Sequence, residues 1–392
     1  MSESLSNASS LRLHTARWAL VIAVAAFASA APSDAATYRV TQLADRVQAA
    51  DGCSFREAVA LHNSTSIFAA NDCGRVDAGG DLIEFAAGLV GVVNLDSRLG
   101  EIVLRSPALT IQASSASAIA IDGGGAMSVL VLHRDLPPAL TIRRLTVRNG
   151  LGRVAPGGFN PQGGGLRMEV GGSIGVTKAT IVVEDSLFSG HLALTGSGVS
   201  RGAAISSAGS LTLRRTKILG NQSDLGAVSH HGEARVEDCE IAGNVGASYA
   251  AGLLLVGVQG GTSRWTLERN LFRDNRIQDE GPAAIRFIDL GDGTISNSTF
   301  VGNSSSDGSV IVSQSPLWVT NSTFSGNRGI AGDGGVLTAW GVTVSATSNL
   351  FADNDAVNLR DLANTGGRFI ASFNLFDTPA ASLPINVLCG AS

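Results

Sequence analysis

The feature that most restricts this chain is a seven-residue phrase that returns between residues 185 and 354. Segments 185–191 (DSLFSGH), 215–221 (RTKILGN), 238–244 (DCEIAGN), 269–275 (RNLFRDN), 297–303 (NSTFVGN), 321–327 (NSTFSGN) and 348–354 (SNLFADN) all place an apolar residue fourth. Those anchors are Phe188, Ile218, Ile241, Phe272, Phe300, Phe324 and Phe351. Val147 and Phe376 extend the series as weaker members, at intervals of 23 to 41 residues. A period of that length belongs to one coil of a solenoid, in which equivalent side chains of successive rungs touch along the axis. The anchors therefore read as a core ladder rather than a cofactor site.

Short alternating runs precede each anchor, for example 180–183, 211–213, 265–267, 317–319 and 342–344. Others sit earlier in each coil, at 203–205, 252–256, 283–288, 309–312 and 335–338. Each period thus offers two or three strands separated by Gly and Asn. The recurrent Asn221, Asn244, Asn275, Asn303, Asn327 and Asn354 are expected in the turn, because Asn tolerates left-handed geometry and its amide can satisfy turn backbone groups. Repetition makes this a structural ladder, and the sequons at Asn297 and Asn321 are by-products of it. A β-propeller needs a longer period, and beyond Asn63 no long segment keeps a helical apolar period, which excludes alternating βαβ units. The 48 Gly and only 16% charged residues fit many tight turns around continuous buried β-structure.

Ahead of the repeats, Arg12, His14 and Arg17 precede an apolar run over 18–31 and then small residues. That is the layout of a secretory signal, predicted to be removed after residue 30 or, preferably, 35. The run is too short to span a bilayer, and no second long apolar segment follows. The net charge of −5 and the lack of any basic cluster with interleaved aromatics argue against nucleic acid. The chain is expected to be secreted, extracellular or held at a bacterial cell surface.

After a strand-like stretch at 37–41, Ser54 and Glu57 have the spacing of a capping box. Phe55, Ala58, Val59 and His62 then fall on one face of a helix ending near Asn63. Cys53 and Cys73 bracket that helix, and in an exported protein such a pair reads as a disulfide. Cys239 reads as a buried free thiol, and Cys389 has no assignment. The sequence DGCSFREAV (51–59), followed by AANDCG (69–74) and GGDLIEF (79–85), resembles the domain named after its Cys-Ser-Leu-Arg-Glu-Ala signature (CSLREA), with Phe55 in place of Leu. The resemblance covers about residues 37–125. It implies export and a right-handed parallel β-helix of the pectin-lyase-like kind, and it carries no established activity or functional residue. The expected organisation is a signal peptide at 1–35, a capping region with the first rungs at 36–125, and β-helix repeats at 126–392. The fold class is all-β, a right-handed parallel β-helix with a short N-terminal capping helix.

Such folds serve lyases, hydrolases, adhesins and phage tail proteins alike, so chemistry must come from a site. The best acidic group is Asp353, Asp355 and Asp361 with Arg360, which could hold a cation beside a base. Solvated turn carboxylates look the same in sequence. Asp289 and Asp292 read as a Gly-rich turn. His230, His231 and Glu233 faintly resemble a galacturonase element whose companions are missing, and adjacent strand residues face opposite ways, which spoils a metal site. Arg264, Arg273, Arg276 and Arg286 with Trp265 could form a glycan-binding face. The Gly runs at 123–125 and 163–165 lack the Lys and helix of a phosphate cradle. The reading is a non-catalytic, adhesin-like scaffold for an extracellular glycan or surface protein, without metal or cofactor. The alternative is a polysaccharide lyase or glycoside hydrolase acting on acidic glycans, and only a lyase would call for calcium.

Overall fold

The computed structural model describes residues 36–48, 50–63, 72–77, 81–105, 108–133, 139–154, 161–169, 179–193, 200–258, 263–306, 309–329, 335–356, 360–377 and 387–389. The N-terminal signal-like segment and its cleavage points lie outside them. The described strands form sheets of 22, 11 and 7 strands, parallel apart from the pairing of Ala36–Val40 with Arg75–Asp77, and a two-stranded antiparallel sheet of Arg153–Val154 and Pro161–Gln162. One coil illustrates the path. Ile285–Ile288 runs in an upstream arm of the large sheet and Gly291–Ser296 in its downstream arm. Thr299–Val301 follows in the 11-stranded sheet and Ser304–Ser305 in the 7-stranded one. Four short strands per coil replace the two or three expected. The two arms are continuous in Ile205–Arg214 and Val228–Glu237, which pair in register over their full length and fuse the arms into one bent sheet. This is an all-β parallel solenoid with a single short helix near its beginning among the described residues.

All seven anchors are fully buried in the 11-stranded sheet. From Phe272 to Phe300, Phe324, Phe351 and Phe376 the rings stack with centroids 4.8 to 4.9 Å apart. That distance is the spacing of hydrogen-bonded strands, so the rings are in register because their backbones are.

Two tight turns flank the anchor strand. In the second, the left-handed residue is Gly190, Gly220, Gly243, Asp274, Gly302, Gly326 or Asp353, with φ between 53 and 64°. The Asn ladder comes one residue later and points inward, which corrects the expectation that Asn itself takes the left-handed geometry. Each amide nitrogen donates to the next side-chain oxygen, from Asn221 to Asn244 (3.0 Å) and on through Asn275, Asn303 and Asn327 to Asn354. Each also donates to the anchor carbonyl of the preceding coil, as Asn303 does to Phe272 (3.0 Å). In the first turn, residues such as Asp185, Arg215 and Asn297 are left-handed. The next residue forms a second inward ladder of Ser186, Thr216, Cys239, Asn270, Ser298, Ser322 and Asn349, all buried. Cys239, a free thiol, donates to the Glu237 carbonyl at 3.1 Å, as Ser298 does to Ser296 at 2.9 Å. It occupies a hydroxyl position.

At the other end, helix α1 spans Phe55–His62 and opens on a complete capping box between Ser54 and Glu57. Phe55, Ala58, Val59 and His62 are buried, and the Phe55 ring stacks on Phe85 at 5.7 Å. Cys53 and Cys73 form a disulfide beside the helix. The side chain of Cys389 lies outside the described residues.

Candidate functional site

Of the sequence-derived candidates, the acidic group is dispersed. Asp353 is an exposed left-handed turn residue whose amide donates to the Asp377 carboxylate. Asp355 is exposed on the 7-stranded sheet. Asp361 is buried and accepts the last amide of the Asn ladder, from Asn354 at 3.1 Å. It is a ladder terminus. The side chain of Arg360 lies outside the described residues, and no cluster of His, Cys, Asp and Glu among the described residues could hold a metal ion. Asp289 is left-handed as expected of a turn, but Asp292 sits in a strand.

His230 and His231 alternate across their strand. His230 is fully buried; its Nε2 donates to the Glu233 carbonyl (2.8 Å), which leaves Nδ1 to accept from the Ser207 hydroxyl (2.9 Å). Burial pushes its pKa down to about 4, so it is a neutral core residue. His231 points outward, where burial and then the Arg201 charge also lower its pKa to about 4. Gly232, with φ of 125°, bends the chain between the arms, and its Cβ position would lie 2.2 Å from the Gly209 carbonyl. A side chain is excluded there.

Glu233 follows on the outer face of the downstream arm, and there the structure does assemble polar groups. Ser210, Thr212, Glu233, Arg235, Arg264 and Thr266 line an open groove of about 490 Å³ contributed by three successive strands. Arg235 is held by Glu237. Arg264 is exposed and has no ion-pair partner among the described residues. The column Thr212, Arg235, Thr266, Thr294, Trp318 runs along the same face. Trp318, 46% exposed, lies three rungs from Arg235, roughly 14 Å.

The other arginines expected on one glycan-binding face are scattered. Trp265 is fully buried and donates to the Gly232 carbonyl at 2.7 Å. Arg273 is engaged by Glu240 and Asp274 on the 11-stranded sheet. Arg276 is on the 7-stranded sheet, and Arg286 on the upstream arm stacks over Tyr249 (4.7 Å) and Trp340 (5.7 Å).

Sequence reasoning found strands of the upstream arm and named Arg286 on it, but missed the charged cluster there. Arg167, with only 3% of its side chain exposed, holds Glu101 at 2.6 Å and lies 3.8 Å from Glu169 through the same Nη2. His133 stands 3.9 Å from Glu169. These residues lie outside the repeated phrase, and only alignment of whole rungs could have brought Glu101 and Arg167 together across 66 positions.

Residues 139–324 match the family model described as a right handed beta helix region. No curated protein sequence matches the chain significantly. Among solved structures, it is similar to the Agl-KA catalytic domain (13% identity, TM-score 0.46, covering 79% of this chain and 61% of that one). It is also similar to the GH136 lacto-N-biosidase from Eubacterium ramulus (11%, 0.30, 87% and 67%) and to bacteriophage CBA120 tailspike protein 3 (12%, 0.29, 79% and 57%). This chain spans about three fifths of the first of these.

Proposed function

We propose that this is an exported β-helix that binds a glycan along the outer face of its downstream arm, as a scaffold. The observation that carries this reading is the groove in which Arg264, Arg235 and Glu233 meet three hydroxyl-bearing neighbours from successive rungs. A polyhydroxylated chain lying along the axis would meet charged hydrogen-bonding groups there and the apolar face of Trp318 farther along. Among the described residues, Arg264 has no ion pair to break before it engages a ligand. The test is affinity electrophoresis of the purified protein through gels containing acidic and neutral polysaccharides. Retardation by at least one polymer is expected, with Arg264→Ala and Trp318→Ala each weakening it severalfold. Unretarded migration in every gel would overturn the proposal.

A second reading, cleavage of a glycan at a separate place on the upstream arm, is favoured by Glu101 and Glu169. Both approach one Arg167 nitrogen, so their nearest oxygens can be no farther apart than those two contacts together. Glycosidic hydrolysis uses two carboxylates about 5 to 9.5 Å apart. New reducing ends in the same incubations, lost in Glu169→Gln, would favour it over a scaffold.

A further inference from the structure

We infer that the outer face of the upstream arm carries an oxyanion-binding site centred on Arg201, for the carboxylate or sulfate group of a sugar acid or ester. Arg201 pairs by a β-bridge with Leu225, and Leu225 packs on Leu254. One rung earlier, the residue in register with Leu254 is Ser229, so Arg201 and Ser229 hold the positions that Leu225 and Leu254 take on the next rung. Its Nη1 is 3.4 Å from His231 Nε2. A guanidinium only donates, so His231 Nε2 accepts and its proton sits on Nδ1. Ser229 and His231 share one strand face two residues apart, and Ser206 adds a hydroxyl from the neighbouring rung.

Two features call for an acceptor. The Nε of Arg201 and the Oγ of Ser229, the latter residue 1% exposed, are buried without a hydrogen-bond partner among the described residues. Leaving such groups unpaired is costly, and more so when they are charged. Among the described residues, no carboxylate forms an ion pair with the guanidinium. Asp224, the residue before the bridged Leu225, accepts from the Ser200 amide at 2.7 Å. One bound oxyanion would answer both, accepting from Arg201 Nε and Ser229 Oγ with charge assistance. The apolar pair Leu225 and Leu254 walls the site on one side and strengthens those bonds by excluding water.

This site is on a different arm from the groove proposed above and stands or falls separately. The probes are sodium sulfate and sodium galacturonate, added in chloride buffer of matched ionic strength, with the melting temperature and isothermal titration as readouts. At least one probe is expected to bind and raise the melting temperature. Arg201→Met should abolish the shift, and Ser229→Ala should weaken binding about tenfold. Binding of sulfate alone would mark a sulfate-ester site, of galacturonate alone a carboxylate site. Without ligand, Arg201→Met should melt no lower than the wild type, since it removes an uncompensated charge. The inference is overturned if neither probe shifts the wild type, if the shift survives in Arg201→Met, or if ligand-free Arg201→Met is destabilised as a structural arginine would be. Arg264→Ala should leave this response unchanged.

Discussion

His191 occupies the position that Asn fills in the next six coils, and it reproduces that residue's bonding with a ring. Its Nδ1 accepts from the Gly150 amide (2.9 Å) while Nε2 donates to the Val147 carbonyl (3.0 Å), as Asn221 donates to Phe188. The ring fits because Gly150 and Gly165 leave it room; a Cβ on either would come within 2.9 Å of an imidazole nitrogen. The Gly run at 163–165 is thus accounted for by packing. Both nitrogens are committed, and burial lowers the pKa of His191 to about 4. His230 and His231 titrate equally low. In each case the unfolded chain, near 6.5, binds the proton first. Stability is therefore complete above about pH 6.5 and drains away as the pH falls towards 4, by on the order of 3 kcal/mol for a fully buried imidazole. His191→Asn should retain most of the stability at pH 7 and show a visibly smaller fall in urea midpoint between pH 7 and 4.5. An unchanged pH slope would mean that His191 is not held neutral.

Each coil is fastened by two polar ladders on either side of the anchor strand, and they differ in how they can be broken. Asn275 donates to Asn303 and to the Ile241 carbonyl, and accepts from both the amide and the side chain of Asn244. Asn275→Ala would orphan groups in two neighbouring rungs, so a loss on the order of 3 kcal/mol is expected by chemical denaturation. Cys239→Ser should be nearly silent, within about 1 kcal/mol, because serine makes the same bond at Ser298 and Ser322. A large loss on Cys239→Ser would assign the thiol some other part. The Asn and Phe ladders were legible because their chemistry is constant at a fixed place in the phrase. The second ladder alternates Ser, Thr, Cys and Asn, and only the shared trait of being small and polar at the second position betrays it. Arg201, Glu101 and Arg167 were illegible for a different reason. The distance from one rung to the next varies by many residues, so knowing which outward side chains become neighbours requires the rung register itself.

Stacked coils leave an open row of backbone groups at each end, and at the N-terminal end the cap is built to occupy them. Asn63, the C-cap of α1, donates through Nδ2 to the Val103 carbonyl (2.8 Å) and accepts from the Arg105 amide (2.8 Å), pairing with the edge strand Ile102–Leu104 as another strand would. Arg56, clamped by Asp45, donates to the carbonyls of Leu99 and Gly100. The disulfide ties this unit across 20 residues, which stabilises by roughly 3 kcal/mol in the chain-entropy description. Cys53→Ser should therefore do more than lower the melting temperature. Loosening α1 uncovers an edge that can recruit strands from another molecule, so sedimentation velocity should show concentration-dependent association absent from the wild type. Asn63→Ala, which removes only the edge contact and keeps the disulfide, should associate in the same way with a smaller loss of stability. If Cys53→Ser melts earlier yet stays monomeric, the cap stabilises the first coil without guarding its edge.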